Sequence, residues 1–385
     1  MKIAFLLLHD FAFADWSLNQ FLKRYHFSKE YAKRVSKQGH DVVLYVLHQD
    51  LKSVTTFNMQ SFTIKVFPVE FNFPPYVQFG NSHNLRVLKE LKLDKPDIIH
   101  YHNYYIWSFP YISAWSRYNR IKIIAQYHGE SDILKPIRKL FIPLFNSVNM
   151  FLVALDEEIF YLKNNFRIND EKIFKFPNVG VDTELFKPVS SKSGEPMLLY
   201  VGRMNAHSRN FKEKSPWILI DIMYELTKKR RDVKLVMVGD GPGLNYLKAM
   251  VNKRGLNENV IFMNYIENNK LPALYSKSWL TFIPMQLNTI DPFWDGSLKE
   301  SLSCMTPVIG FNNYIQSFID SRRGLGYLVP FDSKKAANII DRILQDKGEI
   351  EEMGTRGRSF VLRHCSWNTV IERLLFLYKS LFEGS

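Results

Sequence analysis

Short runs of apolar residues alternate with stretches whose apolar positions recur every three or four residues, almost from end to end of the chain. In the first half, Lys2–Leu8, Asp41–Leu47, Thr63–Phe67, Asp97–His100, Lys122–Gln126, Met150–Ala154 and Ile173–Phe176 read as strands. Helices are predicted over Ser28–Gln38, closed by Gly39 as a C-cap, and over Leu85–Leu91. The stretch Pro188–Pro196, rich in proline, serine and glycine, interrupts this rhythm and reads as a linker. Beyond it the strands are Met197–Val201, Lys234–Val238, Val260–Met263, Leu280–Ile283 and Val308–Gly310. The helices are Trp217–Lys228, Leu244–Lys253, Leu271–Ser276, Leu298–Cys304, Lys334–Gln345 and Trp367–Phe382. Alternating strands and helices predict an α/β fold of two doubly wound, Rossmann-like halves. Ligands in such sheets bind beyond the carboxyl ends of the strands, which for two halves means a cleft between domains.

Composition narrows the class. At 385 residues the chain has room for two or three domains, and 46% hydrophobic with 23% charged residues describes a folded protein. Lysine and arginine total 51 against 38 acidic residues, a formal charge of +13. Through Ser190 the count is 24 basic and 18 acidic; beyond it, 27 and 20, so the excess is spread as +6 and +7. A spread excess favours nucleotides, phosphates or an anionic membrane surface as partners, and nucleic acid is not expected. The two cysteines, Cys304 and Cys365, offer neither a disulfide framework nor metal-type spacing, which suits a reducing cytosol. The opening MKIAFLLLHD reads as a buried strand rather than a signal peptide. No apolar run is long enough to span a membrane; the nearest candidate, Ile133 to Leu155, is broken by Lys135, Pro136, Arg138, Lys139 and Pro143.

Four constellations carry candidate chemistry. The sequence GDGPG, Gly239 to Gly243, lies between a strand and a helix, where glycines admit close backbone approach and a helix N-terminus favours an anion. It does not meet the dinucleotide spacing, Asp240 opposes a pyrophosphate, and the same glycines suit a tight strand-to-helix turn. Gly202 and Arg203 leave a strand end and are followed by Lys212 and Lys214, cations suited to phosphate or to a solvated loop. Asp291, Asp295 and Glu300 flank a Gly-Ser helix start. Their carboxylates can accept from vicinal hydroxyls, and the N–H groups of Gly296, Ser297 and Leu298 can meet a phosphate; an N-cap with an acidic first turn is the plainer alternative. His128, with Gly129 and Glu130, follows a strand and can bond a substrate hydroxyl; His100 and His102 follow the preceding strand. No D-x-D pair, H-E-x-x-H or Walker lysine is present, so cationic side chains rather than a metal are expected to neutralise a leaving phosphate.

Taken in order, these pieces resemble the family 4, or group 1, glycosyltransferases with the GT-B fold. KPDIIHYH (Lys95 to His102), QYHGE, FPNVGVDTELFKP (Phe176 to Pro188), LLYVGRM followed by KSPWILIDIM, VMVGDGPG, TPVIG and RHCSWNTVIERLLFLY match family elements over nearly the whole chain. The resemblance implies an N-terminal acceptor domain over 1–190, a donor domain over 191–365, and a last helix, 366–385, packing back on the first. It implies retaining transfer of a hexose from a nucleotide diphosphate sugar to a glycan, lipid-linked or other hydroxyl acceptor, without a metal or other cofactor. By position, Arg203 and Lys214 would neutralise the departing diphosphate, Glu300 would hold the ribose, and His128 would contact the transferred sugar. Asp291 would touch sugar hydroxyls; Gly202, Gly239, Gly241, Ile266, Gly296, Ser297 and Leu298 would line the donor site. Such a role is electrostatic stabilisation of a leaving group beside an oxocarbenium-like centre.

The chain departs from that pattern in several places. Asp291 stands nine residues before Glu300 in place of a glutamate eight before, and Asp295 is its rival. The glycine pair expected after the first strand is missing, and Tyr25-His26-Phe27-Ser28 stands near its position. Met305 replaces a glycine before Thr306-Pro307-Val308. A nucleotide-sugar epimerase and a non-catalytic nucleotide- or glycan-binding protein remain alternatives. Lys135, Arg138 and Lys139 beside Leu140, Phe141, Ile142, Leu144 and Phe145 suit peripheral contact with anionic lipid at the inner face of the cell membrane, or a partly buried helix.

Overall fold

The computed structural model describes residues 1–10, 16–72, 82–129, 134–204, 214–284, 295–312 and 324–383. Their contacts divide the chain into two units, Met1–Asn178 with Ile371–Ser385, and Val179–Val370.

In the first unit the strands are β1 (Lys2–Asp10), β2 (Asp41–Leu47), β3 (Thr55–Asn58), β4 (Thr63–Phe67), β5 (Phe71–Asn72), β6 (Ser82–His83), β7 (Ile98–His102), β8 (Lys122–Gln126), β9 (Met150–Val153) and β10 (Ile173–Lys175). The helices are α1 (Leu18–Lys23), α2 (Phe27–Ser36), α3 (Arg86–Asp94), α4 (Ser108–Tyr118), α5 (Ile142–Asn146) and α6 (Asp156–Phe166). Eight strands form one sheet in the order β10-β9-β8-β7-β1-β2-β4-β3, parallel except where β3 meets β4. In β1 every residue from Ile3 to Asp10 is buried, because a central parallel strand is covered on both faces. That is why its sequence is a continuous apolar run rather than an alternating one.

The second unit holds β11 (Met197–Val201), α7 (Trp217–Thr227), β12 (Lys234–Val238), α8 (Leu244–Lys253), β13 (Val260–Met263), α9 (Leu271–Lys277), β14 (Leu280–Ile283), α10 (Gly296–Ser303), β15 (Val308–Asn312), β16 (Gly326–Pro330), α11 (Ser333–Ile343) and α12 (Lys347–His364). Its sheet runs β13-β12-β11-β14-β15-β16, parallel throughout. The order reverses direction beside β11, the switch point at which doubly wound sheets place their ligands.

The stretch Pro188–Pro196 lies inside the second unit. Composition marks it as a linker, but the residues ahead of it are already core: Val181 and Phe186 are buried against Leu298, Leu302 and Tyr275. Buried Lys299 donates to the Val179 carbonyl at 2.7 Å. The final helix, α13 (Trp367–Glu383), begins in the second unit and continues in the first. At its start Trp367 N–H donates to Val181 O at 3.0 Å. A Cβ on Gly180 would lie 2.6 Å from the Trp367 ring, so only glycine allows this approach. Its later residues Ile371, Leu374, Leu377 and Tyr378 are buried at helical spacing, and Tyr378 Oη sits 2.6 Å from His100 Nδ1.

Helices α1, α4, α6 and α12 and strands β3, β5, β6 and β16 fall outside the sequence prediction. In the 18-residue α12, glycines lower the helical propensity that sequence reading relies on. Packing explains two of them. A Cβ on Gly354 would come within 2.2 Å of Met305 O, and one on Gly357 within 2.8 Å of Leu302.

Met305 itself explains why its family position is a glycine. It follows α10 with φ +57°, and Thr306 N–H donates to Ser301 O while Met305 N–H donates to Leu302 O, both at 3.0 Å. This is a Schellman C-cap, whose left-handed residue strains any side chain. Met305→Gly is therefore expected to stabilise the fold by about 1 kcal/mol, read as a higher urea midpoint at unchanged slope. A lower midpoint would show that the methionine side chain contributes more than its backbone costs.

Candidate functional site

The second unit gathers its polar groups at the strand-carboxyl edge. β11 runs out through Gly202 to Arg203 and Met204, and β12 through Gly239 to the GDGPG turn. The two segments are laced by backbone bonds: Gly202 N–H to Val238 O at 3.0 Å, Met204 N–H to Asp240 O at 2.8 Å, and Gly243 N–H to Met204 O at 2.8 Å. Gly239 and Gly241 have φ of +137° and +148°, and Cβ atoms there would lie 2.1 Å from Gly202 O and 2.6 Å from Met204 O. Their lack of a side chain is thus first a packing requirement between two loops. A Cβ on Gly202 would meet Tyr200 Oη at 2.8 Å and Lys214 Cδ at 3.1 Å. Arg203 is exposed, and its carbonyl accepts from Tyr200 Oη at 2.8 Å. Ile266 is partly buried against the core beneath this edge.

Lys214 and the start of α10 form one hydrogen-bonded group. Lys214 Nζ donates to Ser297 Oγ at 2.6 Å, lies 3.3 Å from Asp295 Oδ2, and reaches Val201 O at 3.4 Å. Asp295 is the N-cap of α10: its Oδ1 accepts from Leu298 N–H at 2.9 Å and from Ser297 Oγ at 2.6 Å. The Leu298 N–H is therefore already occupied, while Gly296 has nothing within 4 Å of its Cβ position. Burial pushes the Asp295 pKa upward, but Lys214, the Ser297 hydroxyl and the Leu298 amide outweigh it and hold the carboxyl below its ordinary value. Glu300, one turn on, is less fully compensated, although Lys214 and Lys299 both act to lower its pKa. Burial raises its pKa to about 7; the Tyr275 hydroxyl, donating to Oε2 at 2.9 Å, offsets this in part, and the Asp295 charge adds to it. Asp291 and Lys212 lie outside the described residues.

In the first unit, the ends of β1, β7 and β8 bring imidazoles together. His128 Nε2 is 2.7 Å from His102 Nδ1, and the His100 and His102 rings stack at 4.5 Å. His100 is fixed by Tyr378 Oη and by Gln126 Oε1 at 3.0 Å. His9 Nε2 lies 2.8 Å from Asn103 Nδ2. Burial lowers the pKa of His9, His26 and His100 to about 3, and burial with mutual repulsion holds His102 and His128 well below the usual imidazole value. The cluster is therefore neutral near pH 7, able to exchange hydrogen bonds with hydroxyls without attracting anions. Among the described residues His102 Nε2 and Asn103 Oδ1 have no hydrogen-bond partner, as buried atoms that bond a ligand or water would. Phe27 stacks on His128 at 4.4 Å, so the bulky residue near the missing glycine pair covers one face of that imidazole. Glu130 lies outside the described residues.

Among these groups the sequence reading missed Tyr275 and Gln126. Both sit inside predicted elements, where a polar atom turned toward a neighbouring helix or strand leaves no local signal.

The comparisons with known proteins agree with this architecture. The family model described as "Glycosyl transferases group 1" matches residues 181–360, and "Glycosyltransferase Family 4" matches residues 27–185. An uncharacterized glycosyltransferase of Methanocaldococcus jannaschii is 23% identical over 92% of this chain and 93% of its own length. The alpha-monoglucosyldiacylglycerol synthase of Streptococcus pneumoniae is 25% identical over 80% of this chain and 72% of its own. Anabaena HepE, solved in complex with UDP, superposes with a TM-score of 0.68 at 15% identity, covering 99% of this chain and 100% of that one. The chain belongs to the group 1, family 4 glycosyltransferases and has the GT-B fold.

Proposed function

We propose that this glycosyltransferase moves a hexose from a nucleotide diphosphate sugar to a hydroxyl acceptor with retention of anomeric configuration, and that it needs no metal. The observation that supports this most is the seating of Lys214 at the start of α10, 2.6 Å from Ser297 Oγ, on the edge that carries Arg203. In transfer, the bond from the anomeric carbon to the diphosphate oxygen breaks as the acceptor oxygen bonds on the same face and passes its proton to that departing oxygen. Charge then grows on the diphosphate, and Lys214 and Arg203 stabilise it more in the transition state than in the bound donor. Glu300, ionised, accepts from the ribose hydroxyls. His128 and its neutral neighbours bond hydroxyls of the transferred sugar. Retention by departure and attack on one face requires no pair of carboxylates at glycosidase spacing.

The same reading extends to the acceptor. One relative's name is that of a glycolipid synthase. On the first unit Leu140 is 72% exposed and Phe160 70% exposed, on segments joined by an Arg138 Nη1 to Tyr161 Oη bond of 3.0 Å, with Lys135 and Lys139 exposed nearby. Exposed large apolar residues beside cations fit an anionic bilayer surface. Among the described residues no helix is long and apolar enough to cross a membrane. In this reading the activity belongs to glycan or glycolipid synthesis, with these residues touching the membrane surface.

Two measurements test these readings. In a thermal-shift screen of UDP, GDP and ADP with EDTA present, one nucleotide at a hundred times its Kd should stabilise the protein by about 2.7 kcal/mol. Arg203→Ala and Lys214→Ala should each abolish most of that shift; binding only with added divalent cation would overturn metal independence. For the membrane, phosphatidylglycerol vesicles should sediment the protein and phosphatidylcholine vesicles should not. Leu140→Glu with Phe160→Glu should remove the difference, and equal sedimentation by both lipids would refute it.

A further inference from the structure

Helix α12 has two kinds of arginine. Arg358 turns inward, and its Nη1 donates to Ser303 O at 2.5 Å and Phe186 O at 3.3 Å, closing the carboxyl end of α10. Arg356 and Arg363 face the other way. With Leu325, Ser359, Phe360 and His364 they line a cavity of about 570 Å³ on the second unit.

Topology separates this cavity from the donor edge. Leu325 immediately precedes β16, which runs parallel to β15, β14 and β11. It therefore stands at the amino edge of the sheet, whereas Gly202, Gly239 and Ile266 follow the carboxyl ends of their strands. The approach of α12 to Met305, between the end of α10 and the start of β15, sets the helix at the same amino edge.

The lining is cationic, with an aromatic and aliphatic floor. Among the described residues no acidic side chain lines the cavity. Arg356 Nε donates to Gly324 O at 3.3 Å, and its Nη1 lies 3.6 Å from Glu352, a side chain 77% exposed. Arg363 Nε donates to Ser359 O, one turn back on its own helix, at 3.2 Å, and no carboxylate lies within ion-pair distance of it among the described residues. Two arginines seven residues apart stand about 10 Å apart along the helix axis, a span their long arms close. Guanidinium forks bind phosphate oxygens bidentately, and the Ser359 hydroxyl can donate to a third oxygen. Partly buried Phe360 lies against His364, ring centroids 4.7 Å apart and planes tilted by 41°, and gives a carbon-rich ligand body a surface to cover.

We infer that this cavity is a second ligand site, distinct from the donor site, that takes a phosphate ester carried on a carbon skeleton. The phosphate seats between Arg356 and Arg363, and the body lies over Phe360 and Leu325. A soluble phosphorylated metabolite and a phospholipid headgroup present this same chemistry.

Calorimetric titration of the full chain carrying Arg203→Ala, which weakens anions at the donor edge, tests the site with glycerol 1-phosphate and inorganic phosphate. A second arm sediments the same protein with phosphatidylglycerol vesicles. Saturable binding of glycerol 1-phosphate, tighter than inorganic phosphate and weakened at least tenfold by Arg363→Ala, assigns a soluble ester. Vesicle binding weakened at least tenfold by Arg363→Ala, with Leu140 and Phe160 unaltered, assigns a headgroup. Arg363 is exposed and bonds its own helix, so its removal leaves folding intact, and Arg356→Gln provides an independent second variant. Absence of binding in both arms, or binding unchanged in both variants, overturns the proposal.

Discussion

One buried carboxylate organises the donor edge of the second unit. Asp295 caps α10 through the Leu298 amide, takes the Ser297 hydroxyl, and faces Lys214 at 3.3 Å. A lysine taken partly out of water needs a counter-charge, and a helix N-terminus needs an acceptor; Asp295 answers both with its two oxygens. The arrangement fixes Lys214 beside the backbone of β11.

The consequence falls on Glu300. With Lys214 turned toward Asp295, the second carboxylate of the helix bonds the Tyr275 hydroxyl, and burial raises its pKa to about 7 against the pull of Tyr275, Lys214 and Lys299. The two acids of one short helix are thereby driven apart, one held ionised and one poised to titrate. Pairs of this kind mark sites where each carboxyl has a separate task. The histidine cluster of the first unit follows the opposite logic: packed imidazoles suppress each other's charge and present neutral hydrogen-bonding atoms instead.

Much of this was legible in the sequence, for a definite reason. Parallel strands buried on both faces must be apolar runs, so β1, β2, β8, β11, β12 and β14 announced themselves, and the residues that matter follow their ends. Helices were harder. Residues 347–364 carry glycines that weaken any helical reading, yet two of these are what allow α12 to press on Met305 and Leu302. The reading of Pro188–Pro196 as a boundary rested on composition, whereas the fold is decided by where Val181 and Phe186 are buried. Asp295 looked like a rival to Asp291 because a capping carboxylate and a ligand carboxylate have the same local sequence; its cap bond to Leu298 and its 3.3 Å approach to Lys214 are visible only in three dimensions, and Asp291 lies outside the described residues.

The claim that Asp295 retains the lysine and leaves Glu300 as the titrating, ligand-facing acid makes donor binding a proton-linked event. Calorimetry with a nucleotide sugar, whose esterified diphosphate does not titrate near neutrality, measures that linkage directly in buffers of unlike ionisation heat. Glu300, with a pKa near 7, is mostly protonated at pH 6 and must ionise to accept ribose hydroxyls. Binding should therefore release close to one proton at pH 6 and almost none at pH 8.5, with no release at either pH in Glu300→Gln. Binding without proton release at pH 6 in the unaltered protein would contradict the assignment.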